Sequence, residues 1–149
     1  MTKEQHIHKG LIEYLMNYTA FEKWYFGFSR VQPGAISIIP IPGERYIEQW
    51  IEGGGYCEYQ FAVGIFQKSP QAIYVPDKQT EQLDDAFDVQ AFMGWIENQN
   101  DVGNFPRLGN NLIPCRLKVL QGVPTITGEN ETTQKMLFSA AVYYYEIKE

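Results

Sequence analysis

The last third of the chain constrains the fold most. A strand-like run from Arg116 to Gln121 and a longer one from Lys135 to Lys148 flank a polar connection, Gly122 to Gln134. The stretch Met136 to Ile147 is too β-branched and aromatic for a surface helix and too long for an ordinary buried strand. It reads as a strand that projects beyond its sheet. The connection carries Gly122, Pro124, Ile126 and Gly128 together with Glu129 and Glu131, so it cannot bury itself and is expected to swing in solvent until a partner orders it. A long hairpin arm with an unpaired edge is an assembly device, and those six residues are its candidate self-assembly contact.

At 149 residues, 44% of them hydrophobic and 15% aromatic, the chain has material for one core and one domain spanning 1–149. No apolar run approaches the roughly 18 residues a membrane span requires, because the richest, Ile36 to Ile41, is interrupted by Pro40. The polar start, Met1 to His6, leads into a helical pattern instead of a secretory apolar segment, and a cytoplasmic protein is expected. Cys57 and Cys115 lie far apart without Cys-x-x-Cys or histidine company, so they are expected to be free, small buried residues. His6 and His8, at i, i+2 on a helix, point to different faces and are expected to be solvated, not metal ligands.

The net charge of −6 is local: between Asp77 and Asp101 seven acids stand against one base, Lys78, while the rest of the chain balances. The acids Glu81, Asp84, Asp85 and Asp88 mark one acidic helix face, which disfavours phosphate backbones as partners and suits solvent or a basic neighbouring surface.

Apolar positions Ile7, Leu11, Ile12 and Leu15 recur at three and four residues, predicting an amphipathic helix from Thr2 to about Tyr18 with Thr2 as cap and Glu4 or Gln5 in the first turn. An aromatic cluster follows from Phe21 to Phe28. Strands are expected at Ile36 to Ile41, Arg45 to Glu52 and, with the clearest alternation, Tyr56 to Lys68. Gly53-Gly54-Gly55 lacks the Gly-Lys-Ser/Thr and the following helix of a phosphate loop and predicts a hairpin turn. A long helix is expected from Thr80, as cap, to Gln99, and a loop from Asp101 to Pro114. Helix, three strands, helix and two strands give an α+β fold: a single antiparallel sheet covered by two helices, with a long C-terminal hairpin arm. Phe61, Val63, Phe87, Phe92, Leu117 and Val142 are the expected core.

No nucleophile stands beside a base in any recognisable spacing, the carboxylate pairs lie on an outer helix face, and metal and phosphate motifs are missing, so neither an enzyme nor a cofactor is expected. The bases are scattered among the aromatics instead of striped with them, against specific nucleic-acid binding. A small-ligand-binding domain using the aromatic cluster Trp24 to Phe28 and Trp50 is the competing reading.

The leading helix with Leu11-Ile-Glu-Tyr-Leu15, the acidic mid-chain helix followed by a loop, and the pair Leu117-Lys-Val-Leu120 and Phe138-Ser-Ala-Ala-Val-Tyr-Tyr144 around a Gly- and Pro-bearing loop together resemble the tail terminator, tail-completion, minor capsid and neck proteins of tailed bacteriophages and prophages. The likeness covers most of the chain by order of elements. It implies a virion structural protein, assembled in the bacterial cytoplasm, that forms a homo-oligomeric ring, commonly a hexamer, on the end of the tail tube. Such a ring stops polymerisation and meets neck or head-completion proteins on its other face. An α+β protomer with an open edge and an arm is stabilised when neighbours in a closed ring supply what is missing.

Overall fold

A computed structural model describes residues 2–18, 23–26, 35–43, 45–68, 76–121, 125–128 and 133–148, with backbone alone at 23, 26, 67, 68, 76–88, 126–128 and 133. The side chains of the expected acidic face (Glu81, Asp84, Asp85, Asp88) and of the expected core residue Phe87 lie outside the described side chains. Gly122, Pro124, Glu129, Glu131, Phe21 and Phe28 lie outside the described residues.

The fold is α+β, with, among the described residues, one seven-stranded sheet and two helices: α1 (Lys3–Leu15), β1 (Lys23–Phe26), β2 (Ala35–Pro40), β3 (Tyr46–Gln49), β4 (Gly54–Lys68), α2 (Pro76–Asp101), β5 (Leu112–Val119), β6 (Thr125–Gly128) and β7 (Thr133–Ile147). The sheet is mixed, not antiparallel throughout, because β1 runs parallel to β2; every other pairing is antiparallel.

Helix α1 starts where its sequence dictates. The Thr2 hydroxyl accepts from the Gln5 N–H at 3.2 Å and the Gln5 side chain accepts from the Thr2 N–H at 2.7 Å, a reciprocal capping box. Gly10 has no side chain because the backbone of the loop before β5 crosses there: a Cβ would stand 1.9 Å from the Arg107 carbonyl oxygen. Helix α2 begins at Pro76, four residues before the expected Thr80 cap, since proline at a first helical position loses no hydrogen bond and has its φ preset.

The centre of the sheet is a pair of equally long strands. All of β4, from Gly54 to Lys68, pairs in unbroken register with all of β7, from Ile147 back to Thr133. The C-terminal hairpin exists as β6 and β7, but β7 does not project: its second edge is taken by β5 and β6, so its pairing capacity is used within the chain. Each flank is a split strand. Along β4, β2 gives way to β3, and the gap is bridged by Ile41 N–H to Gln60 O at 3.0 Å and Glu58 N–H to Arg45 O at 2.8 Å. Along β7, β5 gives way to β6, with Leu120 N–H donating to Ser139 O at 2.8 Å and Ser139 N–H to Gln121 Oε1 at 2.9 Å.

The glycine triplet is a hairpin turn, as its sequence implies. Gly53 and Gly54 have φ of +103° and +77°, and a Cβ on Gly54 would lie 2.1 Å from Glu146 O. Strand β5 begins at Leu112, inside the expected loop. Pro114 is accommodated because β5 is an edge strand with a bulge between Pro114 and Arg116, which also switches which residues face the core.

Both helices pack on one face. Val63, Phe61, Tyr59 and Cys57 of β4, Met136, Phe138, Ala140, Val142 and Tyr144 of β7, and Leu117 of β5 meet Ile7, Leu11 and Leu15 of α1 and Val89, Phe92, Met93 and Ile96 of α2 in a single core. Phe92 meets Phe138 edge to face at 6.0 Å. The expected core residues Phe61, Val63, Phe92, Leu117 and Val142 are all buried there. No helix among the described residues is long and apolar enough to cross a membrane.

Candidate functional site

Period-2 geometry sends the alternate side chains of β4, β5 and β7 to the face that neither helix covers. On it Tyr56 stacks on Tyr143 with centroids 6.1 Å apart, Tyr56 meets Tyr145 at 5.2 Å, and Trp50, just past β3, stacks on Tyr145 at 6.2 Å. These rings form a continuous aromatic ladder across three strands' width. Tyr145 is 39% exposed, and beside it Ile113, directly opposite in the β5–β7 register, is 50% exposed, with Ile147 at 45%. The Arg116 guanidinium lies over the Tyr143 ring at 5.6 Å, and exposed Lys118 follows two residues on along the same face. Burial, with the Glu58 carboxylate next to it, pushes the Tyr143 hydroxyl up to about 12. Its ring is thus a neutral, amphipathic contact at any working pH.

A second feature sits at the split between β2 and β3. A groove of about 540 Å³ is lined by Glu4, Gln5 and His8 of α1, the 40–43 turn, Arg45, and Glu58 to Gln60 of β4. At its floor His8 is buried, contrary to the solvated position expected for it. Its Nε2 lies 3.0 Å from the Ile38 carbonyl, which can only accept, so Nε2 carries the proton; Nδ1, 2.5 Å from the Tyr59 hydroxyl, then accepts from it. Desolvation lowers the His8 pKa below 6.5, opposed by the hydrogen bond to Ile38, and the ring is held neutral. Position 8 belongs to the inward stripe of α1 with Ile7, Leu11 and Leu15, so the helix places a polar ring in the core and distant residues satisfy it.

Above the groove Arg45 and Glu146 anchor an ion network. Arg45 contacts Glu146 at 3.2 Å and Glu4 at 3.3 Å, Lys3 reaches Glu146 at 3.0 Å, and the Tyr46 hydroxyl donates to Glu146 at 2.6 Å. Burial pushes the Glu146 carboxyl up, but the hydrogen bonds from Tyr46 and Lys3 and the charge of Arg45 outweigh it and hold the group below its usual range. The network ties the start of α1 to the last turn of the sheet, with Tyr144 behind it. The Tyr144 hydroxyl is buried beside the Cys57 thiol, and burial is the main cause that pushes its pKa up.

Among the sequence-predicted site residues, Ile126 and Gly128 lie in β6, paired with Met136 and Gln134. The aromatic residues expected to make a ligand platform are not brought together: Trp24 packs edge to face on Phe92 on the helix side, whereas Trp50 belongs to the ladder on the bare side. Cys57 and Cys115 are free, and burial raises both thiols, so neither is a primed nucleophile. The ladder itself had a signal in the sequence, the odd-numbered tyrosines and isoleucine at the end of β7, but the bulge in β5 and the turn after β3 that complete it did not. The chain matches no protein-family model and no curated protein sequence.

Proposed function

We propose that this chain is a virion structural protein of the tail-terminator or neck kind: a non-enzymatic subunit that associates with copies of itself into a ring, commonly six-fold, on the end of a tail tube, ends its polymerisation and meets neck or head-completion proteins. The observation that carries the assembly part is the bare sheet face, where Trp50, Tyr56, Ile113, Tyr143, Tyr145 and Ile147 sit together with, among the described residues, no helix over them. A contiguous apolar patch on one side of a sheet marks a contact surface. The tail-specific part rests on the order of elements and its likeness to the phage proteins. Because Thr125–Gly128 is a strand of the sheet, the surface to perturb first is this face and not the connection.

The test adds the purified chain to polymerising tail-tube subunits and measures tube length by electron microscopy. Termination predicts short tubes with the chain at one end, and Tyr145→Asp loses the effect while keeping native circular dichroism. Tubes of unchanged length with no bound chain would remove the tail assignment. A second reading, small-ligand binding, is favoured by the groove at His8, Tyr59 and Arg45, and not by the aromatic cluster. It predicts a melting-temperature rise with some member of a small-molecule panel that Tyr59→Phe diminishes.

A further inference from the structure

Charge is unevenly spread over the two sides of the protomer. The bare face carries Arg116 and Lys118, both exposed and, among the described residues, joined to no acid by an ion pair, with the partly buried Glu58 beside Tyr143 as an acid on the same face. The other side carries α2, where seven acids stand against one base between Asp77 and Asp101, and whose Glu97 and Asp101 are exposed. The two patches lie on opposite faces of one sheet, because α2 packs on the side the ladder does not occupy. No ion pair joins them among the described residues.

We infer that the bare face, with its aromatic ladder and Arg116 and Lys118, docks the acidic helix α2 of a second copy of this chain. The inference rests on the self-assembly reading above and specifies its interface. Spacing agrees as well as sign. Glu97 and Asp101 are one helical turn apart, roughly 6 Å along the axis. Arg116 and Lys118 are two residues apart on one side of a strand, roughly 6.7 Å. Two parallel ion pairs can therefore form with the helix lying along β5, while Tyr143, Tyr145 and Ile113 supply the apolar contact. Aromatic rings with arginine at the centre and charges at the rim are the composition of a protein interface. Because the two patches differ, the contact is heterologous: each copy gives a helix to one neighbour and a face to another, which closes into a ring when the rotation permits. A basic, ring-bearing sheet face also suits single-stranded nucleic acid, and that occupant is an outcome of the test below.

The experiment is a charge exchange read by sedimentation velocity and native mass spectrometry on the full chain, with circular dichroism to verify folding. Arg116→Glu with Lys118→Glu, and separately Glu97→Lys with Asp101→Lys, are each expected to weaken self-association at least ten-fold. An equimolar mixture of the two double variants restores it, since each then presents what the other lacks, and so does the chain carrying all four changes. Raising sodium chloride from 0.05 to 0.5 M weakens the native assembly. The inference is overturned if the native chain associates and folded double variants associate equally well, an outcome that leaves the ring reading standing with another interface. It is also overturned if neither the mixture nor the four-fold variant recovers assembly, or if the native chain stays monomeric while binding oligo-deoxythymidine through Arg116 and Lys118. A native chain that is monomeric and also leaves tail tubes unaltered removes both this inference and the reading beneath it.

Discussion

The backbone N–H of Leu117 donates to Asn100 Oδ1 of α2 at 2.8 Å, so a helix side chain closes the outer edge of β5 at that point. An edge strand offers free N–H groups to any passing strand, and here the offer is withdrawn by the element that also covers the sheet. At this point the β5 edge is therefore closed to the addition of another strand. Asn100→Ala leaves the Leu117 N–H without its acceptor. The expected cost is about 1–2 kcal/mol in denaturant unfolding, with faster hydrogen exchange at Leu117. Unchanged exchange there would show that the bond does not form.

Stability should fall in two steps as pH drops. The folded-state pKa of His8 is depressed, so the unfolded chain binds the proton more readily; its contribution is complete above 6.5 and declines as pH falls below that value. Glu146 is likewise depressed from 4.5, and its contribution declines below that value. Chemical denaturation between pH 8 and 3 should show both, and His8→Gln should remove the first decline but not the second. A profile for His8→Gln that still falls below pH 6.5 like the native one would assign the decline elsewhere.

Tyr59→Phe removes the donor to His8 Nδ1 in a buried site and is expected to cost about 1–3 kcal/mol while raising the His8 pKa little, because desolvation is its first cause. Urea unfolding with histidine titration by NMR measures both quantities.

Phe61 is fully buried at the middle of β4, opposite Ala140 of β7. Phe61→Ala should cost about 3–5 kcal/mol. A loss below about 1 kcal/mol would place that residue toward solvent. Gly10→Ala should also destabilise, by about 1–3 kcal/mol despite alanine's better helix propensity, since its Cβ meets the Arg107 backbone.

What was legible in the sequence was what depends on local period and local chemistry. The Thr2 cap, the inward stripe of α1, the alternation of β4 and the glycine turn all follow from residues within one element. What was not legible depends on distant partners. The length of β7 suggested a projecting strand because its matching partner, β4, comes some 65 residues earlier and only the register between them shows that they are equal. Strands β1 and β6, four residues each, are too short to display a period, and missing β1 concealed the parallel pairing. His8 was misplaced because the groups that satisfy it, Ile38 and Tyr59, stand 30 and 51 positions away. The bare aromatic face needed both the one-sided placement of the helices and the β5 bulge, and neither has a local signature.

Sedimentation velocity of the native chain over rising concentration tests whether it self-associates. A discrete species of closed-ring mass, about 103 kDa for six copies of the 17.2 kDa chain, is expected to grow at the expense of monomer. A single species of 17.2 kDa at every concentration would contradict it.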